Sequence, residues 1–108
     1  MANIRFEWDE SKNQSNLRKH GVKFNDASRI FDDPLRLSDI DRVINGEERW
    51  LTIGLIQGLI LLAVAHTVRE EWGESNEGGP VEIIRIISAR RATPKERRGY
   101  GEDRSIHP

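Results

Sequence analysis

The chain has 108 residues, which is enough for one domain with its own core and too few for two. It has no cysteine, which excludes disulfides, thiolate zinc sites and a cysteine nucleophile. The net charge of −1 argues against nucleic-acid binding, yet residues 31–82 carry four basic against eleven acidic side chains and residues 83–100 carry six against one. Local charge sets the field that a phosphate meets, so the basic segment stays of interest.

No segment of the sequence indicates a membrane span or an export signal. The longest apolar run, Leu59 to Ala65, is far too short to cross a bilayer. Residues 1–5 lack the apolar core of a signal peptide. We therefore expect a cytoplasmic protein that has no membrane partner, with a single domain over residues 1–108 and a frayed tail from 101 to 108.

The N-terminal third predicts one strand and two helices. Residues 4–8 alternate between apolar and charged side chains, which is typical of a strand with one buried face. Asp9 can cap a helix of about residues 10–20 that ends at Gly21. Asn25 can cap a second helix, which ends at Asp33-Pro34. Its apolar side chains have helical spacing: Phe24, Ala27, Ile30 and Phe31.

The rest of the chain predicts four strands and a short helix. The strands are predicted over residues 35–39, 49–55, 59–68 and 81–89. Asn45-Gly46 and Gln57-Gly58 indicate turns, and residues 70–80 a loop. Thr93 and Glu96 form a capping-box pattern around a helix of about residues 94–100. The order β-α-α-β-β-β-β-α predicts an α+β fold, in which an antiparallel meander carries the two N-terminal helices on one face.

The strongest functional signal is an arginine cluster where the last strand leads into the last helix. Arg90 and Arg91 have planar guanidinium groups suited to phosphate oxygens. The end of a strand and the start of a helix meet there at one sheet edge, where an anion can bind. A solvated basic helix end is the simpler interpretation. The clustering of basic residues makes an anion-binding site about as plausible as that interpretation. The other basic residues of the cluster are Arg85, Lys95, Arg97 and Arg98.

Two histidines need separate interpretations. His66 stands within an apolar strand, where a histidine is usually a core residue with a satisfied hydrogen bond. If its strand neighbours the one that carries Arg90, both could flank one phosphate, and imidazole titrates near neutral pH. Lys19 and His20 sit at a helix end, where the helix dipole favours cations and is a sufficient explanation.

A metal site is not expected. Asp32, Asp33, Asp39 and Asp41 lack a histidine companion at a suitable spacing, and Asp33 is explained as a helix stop. No phosphate-binding glycine loop, nucleophile elbow or dinucleotide motif is present, so no cofactor is expected either.

Several motifs in one order resemble the BrnT toxin family. They are FEWDESKNQSNLRKHGVKFNDASRIFDDP at the start, then ERWLTIG, LLAVAHT and RIISARRATPKERRGY. The resemblance covers residues 6–69 and 83–100. Residues 70–80 look longer than is usual for the family, and Gly99-Tyr100-Gly101 departs from its helical ending.

The resemblance implies a RelE-like fold and a ribonuclease toxin of a type II toxin–antitoxin system that stops translation. Its implied partners are RNA and a BrnA-type antitoxin with a ribbon-helix-helix domain, with promoter DNA bound only through the complex. By resemblance, Arg90 and Arg91 are the most functional part. Lys12, Lys19, His20 and His66 match motif positions with less defined roles.

These residues suggest a metal-independent mechanism in which the 2′-hydroxyl of RNA attacks the adjacent phosphate. Arg90 and Arg91 would stabilise the charged phosphate, His66 would act as acid or base, and Lys12 or Lys19 would handle a second proton. A different class of function is a non-catalytic module that binds the antitoxin and helps repress transcription. A DNA-binding domain is disfavoured by the net charge and by the absence of a helix-turn-helix pattern.

Overall fold

The predicted order of elements is confirmed in the computed structural model, which describes residues 3–73 and 78–105 and side chains up to Gly101. The strands are β1 (Asn3–Glu7), β2 (Leu37–Ile44), β3 (Glu47–Ile56), β4 (Ile60–Glu71) and β5 (Val81–Arg91). The helices are α1 (Glu10–His20), α2 (Phe24–Ala27), a 3-10 helix (Ser28–Asp32) and α3 (Pro94–Ser105). None of the described helices is both long and apolar enough to cross a membrane.

The described strands form one sheet in the order β1-β5-β4-β3-β2. Strands β2 to β5 make the predicted antiparallel meander. Strand β1 is added at the far edge, parallel to β5, which was not predicted. Asn45 and Gly46 both have positive φ, 52° and 79°, as the tight turn between β2 and β3 requires.

Helix α1 begins and ends where its sequence predicts. The Asp9 carboxylate accepts a hydrogen bond of 3.1 Å from the amide of Lys12, which caps the first turn. Gly21 takes the left-handed conformation, and its N–H donates to the carbonyl of Leu17. Both ends are therefore determined by local chemistry.

The predicted cap of the second helix is wrong. Helix α2 begins after Lys23 rather than Asn25, and after one turn it continues as the 3-10 helix. The amide of Phe24 donates a hydrogen bond of 2.9 Å to the side-chain oxygen of Asn13 on α1. This tertiary contact takes the place of a local N-cap. The predicted apolar side chains of this segment are nevertheless all buried.

Three element boundaries differ from the prediction by more than two residues. Strand β2 continues to the turn at Asn45, and β4 continues to Glu71, which shortens the predicted loop. Residues 74–77 of that loop lie outside the described residues. Helix α3 continues to Ser105, past the predicted end at Tyr100, and residues 106–108 of the expected tail also lie outside them.

The sheet has one covered face and one open face. On the covered face, α1, α2 and the 3-10 helix bury the main core, which includes Phe24, Ile30, Leu62, Val64, Ile84 and Ile86. On the open face, α3 covers only one end, where Tyr100 packs with Leu61 and Ala92. The Tyr100 hydroxyl donates a hydrogen bond of 2.7 Å to the Asp33 carboxylate, which connects α3 to the end of the 3-10 helix.

Candidate functional site

The open face holds a depression of about 390 Å³, which we call the inner depression. Ala63 and Ala65 of β4 form its floor, and their short side chains leave the sheet surface low there. Strands β2, β3 and β5 form the walls. Its charged lining residues are Asp41, Arg42, Arg49 and Arg90.

A second hollow, the edge groove, lies between α1 and β5 and has a volume of about 210 Å³. Its basic residues Lys12, Lys19 and His20 come from the outer side of α1. Ile87 and Ser88 line both the edge groove and the inner depression. The two hollows therefore adjoin at these two residues of β5.

Asn16 fixes α1 against this edge of the sheet. Strand β1 ends at Glu7, opposite Arg85, so its ladder does not reach the second half of β5. There the Asn16 side chain takes the place of a strand. Its Nδ2 donates a hydrogen bond of 2.8 Å to the carbonyl of Ala89, and its Oδ1 accepts a hydrogen bond of 3.0 Å from the amide of Ala89. Because Asn16 is buried, this pair anchors the helix that carries the edge-groove cations.

A β-bulge turns the end of β5 toward the site. Ala65 is opposite Ser88 while His66 is opposite Ile86, so Ile87 is the extra residue. Beyond the bulge, Ser88 and Arg90 line the inner depression, whereas Ala89 between them belongs to the core of the covered face.

Arg90 is held in place by the cap of α3. The two carboxylate oxygens of Glu96 accept hydrogen bonds of 2.8 and 3.0 Å from its guanidinium. Glu96 also accepts a hydrogen bond of 2.9 Å from the amide of Thr93. In return, the Thr93 hydroxyl accepts a hydrogen bond of 3.2 Å from the amide of Glu96. The predicted capping box is therefore confirmed. The hydrogen bond from Arg90, followed by that from Thr93, lowers the pKa of Glu96 to about 2.

This arrangement leaves part of the Arg90 guanidinium for a ligand. Its hydrogen bonds with described residues, two to Glu96 and one to the carbonyl of Arg91, engage three of its five N–H groups. The side chain is about one-third exposed. A rigid, partly exposed guanidinium is suited to binding an anion.

Arg91 does not share this surface. Successive side chains of a strand point to opposite faces, so Arg91 follows the direction of Ala89, away from the inner depression. Arg91 is exposed. The structure therefore separates the two arginines that the sequence analysis had placed on one phosphate.

His66 lies on the covered face, 2% exposed. Its Nε2 is 2.6 Å from the hydroxyl of Thr52, and its ring packs edge-on against Phe31. Burial lowers the pKa of His66 to about 4, despite a hydrogen bond with the carbonyl of Thr67. Its strand does neighbour β5, as the sequence analysis required, but His66 and Arg90 lie on opposite faces.

The other predicted basic residues lie around the site. Arg85 donates 2.9 Å to Glu47 across the open face. Lys95, Arg97 and Arg98 are exposed on α3, outside the lining of both hollows. Of the predicted residues, the structure thus brings together Arg90, Lys12, Lys19 and His20.

Arg49 was missed by the sequence analysis. It projects from β3 into the inner depression, with Glu47 at an ion-pair distance of 3.4 Å from its Nε. A sequence signal did exist, because Arg49 continues the alternation of Leu51, Ile53 and Leu55. A charged residue in such an apolar stripe indicates a special environment.

The family model for "Ribonuclease toxin, BrnT, of type II toxin-antitoxin system" matches residues 8–96. The chain belongs to the BrnT family. A solved structure of the Brucella abortus ribonuclease toxin BrnT, determined at 1.1 Å, is similar to it with 27% identity and a TM-score of 0.52. The match covers 86% of this chain and 99% of that one. A search of curated proteins finds no match.

The BrnT match includes every residue that lines the inner depression and the edge groove. Arg97 and Arg98 lie beyond its end at Glu96. The matched segment therefore contains both hollows and Lys95 of α3, whereas Arg97 and Arg98 lie outside it.

Proposed function

We propose that this chain is a cytoplasmic endoribonuclease toxin that cleaves RNA without a metal ion and thereby inhibits translation. The observation that carries the proposal is the junction of the two hollows at Ser88. This junction places Lys12, Lys19, His20 and Arg90 around one surface that a phosphodiester can reach. The family match supplies the substrate class, because it describes ribonuclease toxins.

The scissile phosphate would lie at Ser88, between the cations of α1 and Arg90. A base removes the proton of the ribose 2′-hydroxyl, and the oxygen then forms a bond to phosphorus. The bond from phosphorus to the 5′-oxygen breaks, and an acid protonates that oxygen. The products are a 2′,3′-cyclic phosphate and a 5′-hydroxyl, so atoms and charge balance without an added reagent.

The burial of His66 supports a proton-transfer role for the edge groove instead. His20 is exposed there, and its imidazole can both donate and accept a proton. Lys12 and Lys19 line the same groove and can supply a proton or hold the phosphate. Arg90 stabilises the charge that develops on the phosphate oxygens. Arg91 is exposed on the other side of β5. It would contact a part of the RNA that is farther from the scissile phosphate.

The chain's neutralising partner would be a BrnA-type ribbon-helix-helix antitoxin. Such a partner silences the toxin if it covers Ser88 and the cations around it. The complex, rather than this chain alone, would bind promoter DNA. Support for a partner of this kind comes from the family, which belongs to type II toxin–antitoxin systems.

Cleavage of a synthetic RNA by the purified protein tests the proposal. Cleavage should continue in EDTA and yield 2′,3′-cyclic phosphate ends, because the proposed nucleophile is the ribose 2′-hydroxyl and the proposed proton transfers use side chains. RNA with 2′-O-methyl riboses should stay intact, because it has no free nucleophile. His20→Gln and Lys12→Met should each slow cleavage about a hundredfold.

Lys23→Met is the matched control, because Lys23 is exposed outside both hollows. Loss of activity in EDTA with recovery on adding Mg²⁺ would contradict the metal-independent mechanism. If the wild-type protein cleaves no RNA yet forms a promoter-binding complex with the antitoxin, the alternative of a non-catalytic binding module holds for this chain.

A further inference from the structure

The guanidinium of Arg49 occupies an unusual environment in the inner depression. Its Nε is buried and has no hydrogen-bond partner within the described part of the chain. Glu47 neutralises charge at 3.4 Å without hydrogen-bond geometry, and the same carboxylate accepts a hydrogen bond from Arg85. A buried donor without a partner is costly and calls for a ligand or water that would complete it.

The surroundings of Arg49 favour an anionic ligand. Three guanidinium groups line the inner depression, those of Arg42, Arg49 and Arg90, against one carboxylate, that of Asp41. Arg42 is partly engaged by Asp41, which lies 3.1 Å away. Arg49 and Arg90 have carboxylate partners outside this lining, Glu47 and Glu96, but each keeps N–H groups that form no hydrogen bond with those partners.

The spacing of the strands separates this position from the proposed scissile phosphate. Arg49 is on β3 and Arg90 on β5, with β4 between them. Arg90 pairs with Ala63, which is opposite Ile53, four residues beyond Arg49, so the two backbones are roughly 16 Å apart. That distance is too great for both side chains to bind one phosphate symmetrically and suits two different phosphates of one RNA strand. The alanine floor of β4 leaves a low passage between them.

We propose that Arg49 forms a second phosphate subsite, which binds a non-scissile phosphate of the RNA strand as it crosses β4 over Ala63 and Ala65. This inference rests on the proposed function and adds the path of the substrate. RNA would run from the edge groove past Ser88 and Arg90 into the inner depression. Arg49 is a binding residue there and takes no part in the proton transfers.

Binding of a non-cleavable 2′-O-methyl RNA oligonucleotide, measured by fluorescence anisotropy at several salt concentrations, tests the subsite. Arg49→Gln should weaken binding about tenfold or more. The slope of log affinity against log salt should fall by about 0.7, the value for one phosphate contact on a single strand. With cleavable RNA, KM should rise while kcat stays nearly constant, because a non-scissile contact acts equally in the ground and transition states.

Arg69→Gln is the matched control, since Arg69 lies on the same face and is also paired with a glutamate, Glu7, but lies outside the inner depression. It should leave the salt slope unchanged. Ala65→Leu supplies a second variant, which fills the passage without altering charge and should also weaken binding. Circular dichroism verifies that each variant is folded.

The outcomes separate the two proposals. If wild-type protein cleaves RNA and Arg49→Gln binds with wild-type affinity and salt slope, the subsite is overturned and the proposed function stands. If Arg49→Gln lowers kcat with unchanged KM, Arg49 acts in the chemical step and the subsite is again overturned. If the wild-type protein neither binds nor cleaves RNA, both proposals fall together.

Discussion

The two faces of the sheet differ in what covers them and in the residues they carry. The covered face packs Phe24 and Ile30 against β4 and β5, and it encloses His66 as a neutral side chain. The open face of the same sheet carries Arg49 and Arg90 around a floor of alanines. Strand alternation and the bulge at Ile87, which reverses that alternation in β5, separate a core from a site. Residues on neighbouring strands therefore need not lie on the same face.

The comparison also shows how polar groups are used on each side. On the covered face, polar side chains complete hydrogen bonds that hold the fold, as Asn16 does for Ala89. On the open face, carboxylates hold arginines in place at the surface, as Glu96 does for Arg90. Substitutions on the covered face should therefore change stability, whereas those on the open face should change activity.

The largest expected effect is on the open face. Arg90→Ala should reduce the rate of RNA cleavage by two to three orders of magnitude, because one preorganised charge stabiliser is lost from the transition state. Its unfolding free energy should change by less than about 1 kcal/mol, since the Arg90–Glu96 pair is partly exposed. Single-turnover kinetics and urea unfolding measure the two effects. Arg29→Ala, an exposed arginine of the 3-10 helix, is the control, and full activity of Arg90→Ala would refute the separation of the faces.

On the covered face, Asn16→Ala should destabilise the protein by about 3 kcal/mol, because it leaves the buried amide and carbonyl of Ala89 without partners. Urea unfolding measures the loss. Gln14→Ala, which changes an exposed side chain of the same helix, should cost less than about 0.5 kcal/mol. Equal stability of the two variants would show that Asn16 does not anchor α1.

His66 should make the covered face sensitive to mild acid. Its pKa in the folded protein is about 4, below the ordinary 6.5, so the folded state disfavours the proton that the unfolded chain accepts. The contribution of His66 to the free energy of unfolding is therefore fully present above pH 6.5 and is lost as the pH falls toward 4. The loss should reach about 2 kcal/mol at pH 5.

Urea unfolding at pH 7.5 and 5 checks this prediction. His66→Gln should lose about 2 kcal/mol less than the wild type over that interval. An NMR titration midpoint of His66 above pH 6 would contradict the burial of its neutral form.

The smallest expected effects concern two glycines. A Cβ on Gly54 would lie 2.8 Å from the Cβ of Ile30 and 3.1 Å from its carbonyl oxygen, so Gly54→Ala should destabilise the covered face by about 1–2 kcal/mol. A Cβ on Gly99, within α3, meets no described atom within 4 Å. Gly99→Ala should therefore stabilise the protein by about 0.5–1 kcal/mol through helix propensity. Thermal unfolding of the two variants measures both changes in stability. If both variants were stabilised or both destabilised, the difference in packing around the two glycines would be contradicted.

Much of the fold could be predicted because its signals are local. The caps at Asp9 and Gly21, the turn at Asn45-Gly46 and the capping box of Thr93 and Glu96 all act within a few residues. Alternation in the strands predicted the meander. The start of α2 could not be predicted, since its amide is capped by Asn13, eleven residues away.

The site was only partly predictable for the same reason. The arginine cluster in the sequence pointed to Arg90 as a phosphate-binding group, and the family resemblance pointed to Lys12, Lys19 and His20. All four line one of the two hollows that share Ser88. The sequence by itself thus determined the elements, the family resemblance and the basic chemistry. Only the tertiary structure decided that His66 is buried and that Arg91 diverges from Arg90, and only it brought Arg49 into the site. A bulge and a strand order set those faces, and both depend on contacts between residues far apart in the chain.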